Sequence, residues 1–151
     1  MNAKTADPRG SLVAALLLGI GLMAAVDEIV FHQILAWHHF FDRSTLAIAL
    51  LSDGLLHAAE LLMLAAGGYL LVRLSRSRAV APLQAWAGFL IGAGGFQLFD
   101  GVINHKLLRL HQVRYVDDLW LYDIAWNGFG ALLLAIGLLA WQRTRREVHG
   151  R

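Results

Sequence analysis

The amino-acid sequence predicts an all-α integral membrane protein, a four-transmembrane-helix bundle made of two pseudo-symmetric helical hairpins, on three observations. The first is composition: 58% of the 151 residues are hydrophobic and 16% charged, with mean hydropathy +0.55, too apolar for a soluble domain of this length. The second is charge spacing, since Gly10 to Val26, Ala79 to Phe99 and Ile124 to Gln142 carry no formal charge at all. The third is a recurring polar pattern, described below. Disorder, a disulfide-held secreted scaffold and an ordinary cytosolic enzyme are excluded. With no cysteine there is no thiolate nucleophile and no Cys-ligated zinc or iron–sulfur centre, so any site must use His, carboxylate and amide groups.

Crossing about 30 Å of hydrocarbon takes roughly 20 apolar residues. Four segments meet that need: Ser11 to Trp37, Thr45 to Leu74, Leu83 to Leu108 and Leu119 to Trp141. They form a single domain, 11–142, with hairpins at 11–74 and 83–141, between an N-terminal segment (1–10) and a basic tail (143–151). The basic residues gather at one set of ends: Lys4 and Arg9; Arg73, Arg76 and Arg78; Arg143, Arg145, Arg146 and Arg151. That is the positive-inside pattern, which places both termini in the cytoplasm of a multi-pass protein. It also accounts for the net charge of +2 and the isoelectric point near 9.4 without nucleic acid; the Arg run at 143–146 reads as a topology signal and lipid-headgroup contact. The outward connections, Phe40 to Ser44 and Arg109 to Asp118, are flanked by Trp37, Phe40, Phe41, Tyr115, Trp120 and Tyr122 as interfacial anchors. Lys4, Arg9 and the apolar run to Met23-Ala24-Ala25 also fit a cleavable secretory signal, but cleavage would destroy the repeat.

That repeat is G-x-G-x5-D-x4-H-x2-L-x2-H. Gly19, Gly21, Asp27, His32, Leu35 and His38 recur as Gly92, Gly94, Asp100, His105, Leu108 and His111 at a constant offset of 73. The second and fourth helices match at an offset of 70, with Asp53 answering Asp123 and His57 answering Asn127. Each half has an even number of spans, so a pseudo-twofold axis along the membrane normal would relate them. The paired glycines read as close-packing positions rather than phosphate loops.

Ionisable residues inside a membrane are costly and mark a site by default. Glu28 and His32, Asp53 and His57, Asp100 and Asn104, and Asp123 and Asn127 all fall in the outward half, above an inward half of Leu, Ala and Gly. By α-helical spacing Asp53, His57 and Glu60 share a stripe, as do Gln97, Asp100, Asn104 and His111. Imidazole and carboxylate together suit Zn, Fe, Mn or Cu(II), and bundle cores house such centres. The expected metal ligands are His32, His57, His105, Asp53, Asp100 and Asp27, with Glu28, Asn104, Asn127, His38 and His111 supporting them. Ideal α-helical spacing leaves open which of Asp27 and Glu28 faces the site, since a one-residue twist exchanges them and Asp27 and His32 stand about 140° apart. His38, His39 and His111 sit at the interface, where a wet surface histidine is the competing reading. His149 reads as a solvated residue of the tail. The expected cofactor is a divalent transition metal, zinc first, then iron or copper; a zinc-type site activating water would use Glu60 or Asp123 as general base. No Ser-His-Asp spacing is present around Ser52.

Three other readings use the same residues: a proton or cation relay, haem held by His32 with His105, and an interhelical hydrogen-bond network without ligand.

The stretches Val30 to His39, Ser52 to His57, Phe99 to Arg114 and Tyr122-Asp123 resemble an uncharacterised family of bacterial integral membrane proteins, domain of unknown function 2243, over nearly the whole chain. The resemblance implies a bacterial inner (cytoplasmic) membrane location and a four-span fold. Genes of copper-handling cytochrome oxidase assembly factors near some members would imply a respiratory partner. Beyond the lipid bilayer, the expected partners are such assembly factors or further copies of the chain. Met1, Met23 and Met63 are the chain's few soft ligands and there is no Cys, a scarcity that disfavours a Cu(I) carrier.

Overall fold

The computed structural model describes residues 5–149, with the side chains of 146–149 left aside. Lys4 and Arg151 of the basic pattern, Met1, and the side chains of Arg146 and His149 therefore lie outside the described residues.

Four helices are long and apolar enough to cross a membrane. The first, α1, spans Pro8–Val26 and continues as a π-helical segment over Asp27–Ile34; α2 spans Leu46–Arg76; α3 spans Pro82–Leu98 and continues as a second π-helical segment over Phe99–Leu107; α4 spans Leu119–His149. Arg143 and Arg145 thus lie within the last helix, which continues to His149. Pro8 and Pro82 sit in the first turn of α1 and α3, where a missing N–H costs nothing. The side chain of Asp7 caps α1 by accepting from the Gly10 N–H at 2.8 Å.

The central pair of this bundle is α1 against α3; α2 packs on α1 and α4 on α3, with no close backbone approach between α2 and α4 among the described residues. Small residues set this arrangement. A Cβ at Gly19 would strike the Phe89 carbonyl, and one at Gly92 the Leu16 carbonyl, so α1 and α3 touch backbone to backbone. Gly21 meets α2 at Glu60 and Leu64 in the same way, and Gly94 meets α4 at Gly130 and Leu134. In lipid, where no hydrophobic force separates helix faces from solvent, such close approach supplies the packing energy.

The two ends differ. At one end the N-terminus and the α2–α3 turn are tied together: the Asp7 N–H donates to the Ala79 carbonyl at 2.7 Å, and the Ala81 N–H donates to the Ser11 hydroxyl at 2.9 Å. At the other, segments 35–45 and 108–118 fold over the bundle and bind one another through the Asp42 N–H and the Leu110 carbonyl. Both π-helical segments stop in the same way. Leu35 donates to Val30 and Leu108 to Ile103, after which Ala36 (φ 48°) and Arg109 (φ 53°) turn left-handed. The chain is thereby reversed, and His38 and His111 are carried back toward the helices.

Candidate metal centre

π-Helical geometry decides the site. Hydrogen bonding from i to i+5 brings residues five apart onto one face, so the D-x4-H spacing, which an α-helix would splay, becomes a contact. His105 Nε2 lies 2.9 Å from Asp100 Oδ2, and His32 Nε2 lies 3.7 Å from Asp27 Oδ2. Glu28 turns inward as well, with Oε2 2.8 Å from His32 Nδ1. Asp27 and Glu28 are therefore both buried, at 1% and 2% exposure, where α-helical spacing left open which of them faces inward.

Four imidazoles form a continuous series in the order His32, His38, His111, His105. Successive ring centroids are 4.6 Å apart; the inner two are stacked within 5°, and each outer ring meets its neighbour edge-on. His38 and His111 enter reciprocally from the two end loops. His38 Nδ1 donates to the Val113 carbonyl at 2.9 Å, and His111 Nδ1 donates to the Phe40 carbonyl at 2.8 Å. Since a carbonyl only accepts, each ring carries a proton on Nδ1, so that the neutral form turns an unprotonated Nε2 inward; at His111, against the burial that would lower it, the Asp100 carboxylate holds the imidazole above its ordinary value. Burial, helped by the neighbouring His111 and His105, pushes the His38 imidazole down to about 4, which keeps it neutral.

All four Nε2 atoms are buried without a hydrogen-bond partner, as are both Asp27 oxygens and Asp100 Oδ2. An orphaned polar atom costs about 1–3 kcal/mol, so such a gathering around one centre marks a candidate ligand site, although His105 Nε2 and Asp100 Oδ2 face one another at 2.9 Å. The donors fit a metal ion: one ring nitrogen each of His32, His38 and His111, and one ring nitrogen or carboxylate oxygen each of Asp100, His105 and His111, come within 4.8 Å of one another in two groups that share His111. A third such group joins Glu28, His32 and Asp53.

The remaining expected residues are distributed around this core. Asp53 reaches it from α2, with Oδ1 3.3 Å from His32 Nδ1 and Oδ2 2.6 Å from His39 Nδ1. Asn104 donates to Asp100 Oδ1 at 2.9 Å, steadying that carboxylate. His57 stands away from the histidine series: its side chain is 49% exposed on the outer face of α2 and pairs with Glu60 at 2.6 Å. Asp123 pairs with Lys106 at 2.6 Å, and Asn127 donates to the Asp123 carbonyl and packs on Gly101. His38 and His111, read as supporting residues with a wet surface position as the competing reading, are buried at 3% and 2%. The signal that could have promoted them was their register with His32 and His105 in the repeated motif.

Helices, burial and site together define a multi-pass membrane protein with a histidine–carboxylate cluster enclosed at one end of the bundle. The chain belongs to the family described as predicted membrane protein (DUF2243), whose model matches residues 14–144. No curated protein and no solved structure matches it.

Proposed function

We propose that this is an integral membrane metal-binding protein that holds one or two divalent transition-metal ions on His32, His38, His105, His111, Asp27 and Asp100. The observation that carries the reading is the set of four buried Nε2 atoms that make no hydrogen bond and stand within 2.9–3.8 Å of the carboxylates of two buried aspartates. A nitrogen and oxygen donor set without sulfur suits zinc, iron or copper(II), and two carboxylates balance the charge of one divalent ion. Glu28 and Asp53 would orient His32 through its Nδ1–H, as second partners of metal-bound imidazoles do. A bound ion would supply Lewis-acid or redox chemistry; the burial of every ligand at 3% or less favours a closed, tightly held centre over one open to bulk water.

The positive-inside pattern supports an outward-facing position for this end of the bundle, in what we read as a bacterial inner membrane. The two halves read as pseudo-symmetric copies, because the π-helical stops, the left-handed residues and the reciprocal histidine bonds recur at the offset of 73 that relates the motifs. Haem fits this arrangement less well than ions do, since the stacked rings of His38 and His111 stand between His32 and His105.

The test is elemental analysis by plasma mass spectrometry of the full chain, purified in detergent without chelators. Near-stoichiometric metal is expected in the wild type and in His57→Ala, and its loss in the double variant His38→Ala/His111→Ala. Metal-free wild-type protein, or a double variant that keeps its metal, would overturn the assignment.

A further inference from the structure

Beside the histidine cluster, a cavity of about 350 Å³ lies between α1 and α4, two helices whose backbones do not approach one another closely. Its wall is aromatic and continuous. Phe31 packs edge-on against Trp126 at 4.8 Å and tilted on Trp37 at 5.3 Å, and Trp37 meets Tyr122 at 5.6 Å. Its rim includes Val26, 40% exposed, and Phe129, 50% exposed, both within membrane-spanning helices, so the mouth opens toward hydrocarbon.

Above this wall sits a cation. The Arg114 guanidinium lies 4.7 Å from the Trp37 ring and 5.4 Å from the Tyr122 ring, and donates to the Tyr122 hydroxyl at 2.6 Å. It is half-buried, and no carboxylate among the described residues pairs with it. A guanidinium held over two rings and donating to one hydroxyl keeps N–H donors for a second partner, and its fork matches phosphate oxygens.

The scaffold does not require this feature. At the corresponding positions of the other half, Phe31 and Trp37 are answered by Asn104 and Leu110, Tyr122 and Trp126 by Ser52 and Leu56, and Arg114 by Phe41. The same bundle is thus built on that side without an aromatic wall or a cation. Aromatic lining, an opening toward lipid and a positive charge at the membrane-surface end match one kind of occupant.

We infer that this groove binds an anionic phospholipid, with an acyl chain along the Phe31–Trp126 wall and the headgroup phosphate on Arg114. The inference does not depend on the metal reading, because the groove and its cation are formed by side chains outside the proposed ligand set.

The test uses the full chain in detergent micelles with Trp86→Phe, Trp120→Phe and Trp141→Phe, leaving Trp37 and Trp126 as fluorophores. Phosphatidylglycerol and phosphatidylcholine, each with brominated acyl chains, serve as quenchers. Phosphatidylglycerol should quench at about tenfold lower mole fraction than phosphatidylcholine, as one charge-assisted phosphate contact predicts. Arg114→Gln should remove that preference and Arg114→Lys keep part of it. Ala125→Phe, which fills the groove and leaves Arg114 in place, should weaken quenching by both lipids. Equal quenching by the two lipids, or a preference that survives Arg114→Gln, overturns the proposal. So does a preference that inorganic phosphate abolishes and Ala125→Phe leaves untouched, which would assign Arg114 to a soluble anion.

Discussion

The two ends of this bundle are held by opposite means. Toward the N-terminus, α1 and α3 are regular helices in backbone contact at Gly19, Gly88 and Gly92, and nothing ionisable lies between them. Toward the other end the same two helices widen into π-helical turns, and their neighbours are imidazoles and carboxylates with unpartnered atoms. One end is stabilised by shape; the other spends stability on a buried polar cluster. Irregular helices and orphaned polar groups gathered in one place are what a ligand site looks like before its ligand is counted.

The contrast can be broken most severely at the shape-held end. Gly92→Leu forces a side chain into the Leu16 carbonyl and should cost about 3 kcal/mol or prevent folding outright. Chemical unfolding in detergent micelles measures this; a variant as stable as the wild type would mean that the α1–α3 contact is not the main clamp. At the polar end, size matters less than chemistry. His38→Ala/His111→Ala should lower the unfolding temperature, and a chelator should lower that of the wild type while leaving the double variant where it is. At metal concentrations about a hundredfold above the dissociation constant, the difference corresponds to roughly 2.7 kcal/mol.

Smaller changes sharpen the distinction. Asp53→Asn keeps the shape of α2 but weakens the acceptor beside His32 and His39, and should reduce metal affinity about 10–100-fold in a competitive chelator titration. An unchanged affinity would leave Glu28 as the group that orients His32. The smallest effect is expected at Arg109, a non-glycine residue at φ 53°, where Arg109→Gly should add about 0.5–1 kcal/mol of stability without changing metal content. A loss of metal there would tie the left-handed turn to the placement of His111.

How much of this was legible in the residues depends on which geometry each one obeys. The spans were, because length and hydropathy alone decide whether a segment can cross a bilayer. So was the packing role of Gly19, Gly21, Gly92 and Gly94, each of which lies against a neighbouring helix. Asp53, His57 and Glu60 looked like one stripe by α-helical spacing. The inward line on α2 instead runs through Asp53, Glu60 and Gly67. Seven residues nearly complete two turns, whereas His57 lies at the edge of that line and ends on the outer face. Asp27 with His32, and Asp100 with His105, could not be paired from α-helical angles, since only the wider turn aligns them.

The sequence by itself determined that this chain spans a membrane four times, that its polar residues gather toward one end, and that glycine sets its helix contacts. These follow from local quantities: hydropathy, charge position and side-chain size. Tertiary structure decided which histidines converge. The π-helical register of residues 27–34 and 99–107 rotates Asp27, Glu28 and Asp100 inward. The left-handed turns at Ala36 and Arg109 reverse the chain so that His38 and His111 return to the core. Each loop fixes the other's histidine through a carbonyl more than 70 residues away, a distance across which no local pattern carries orientation.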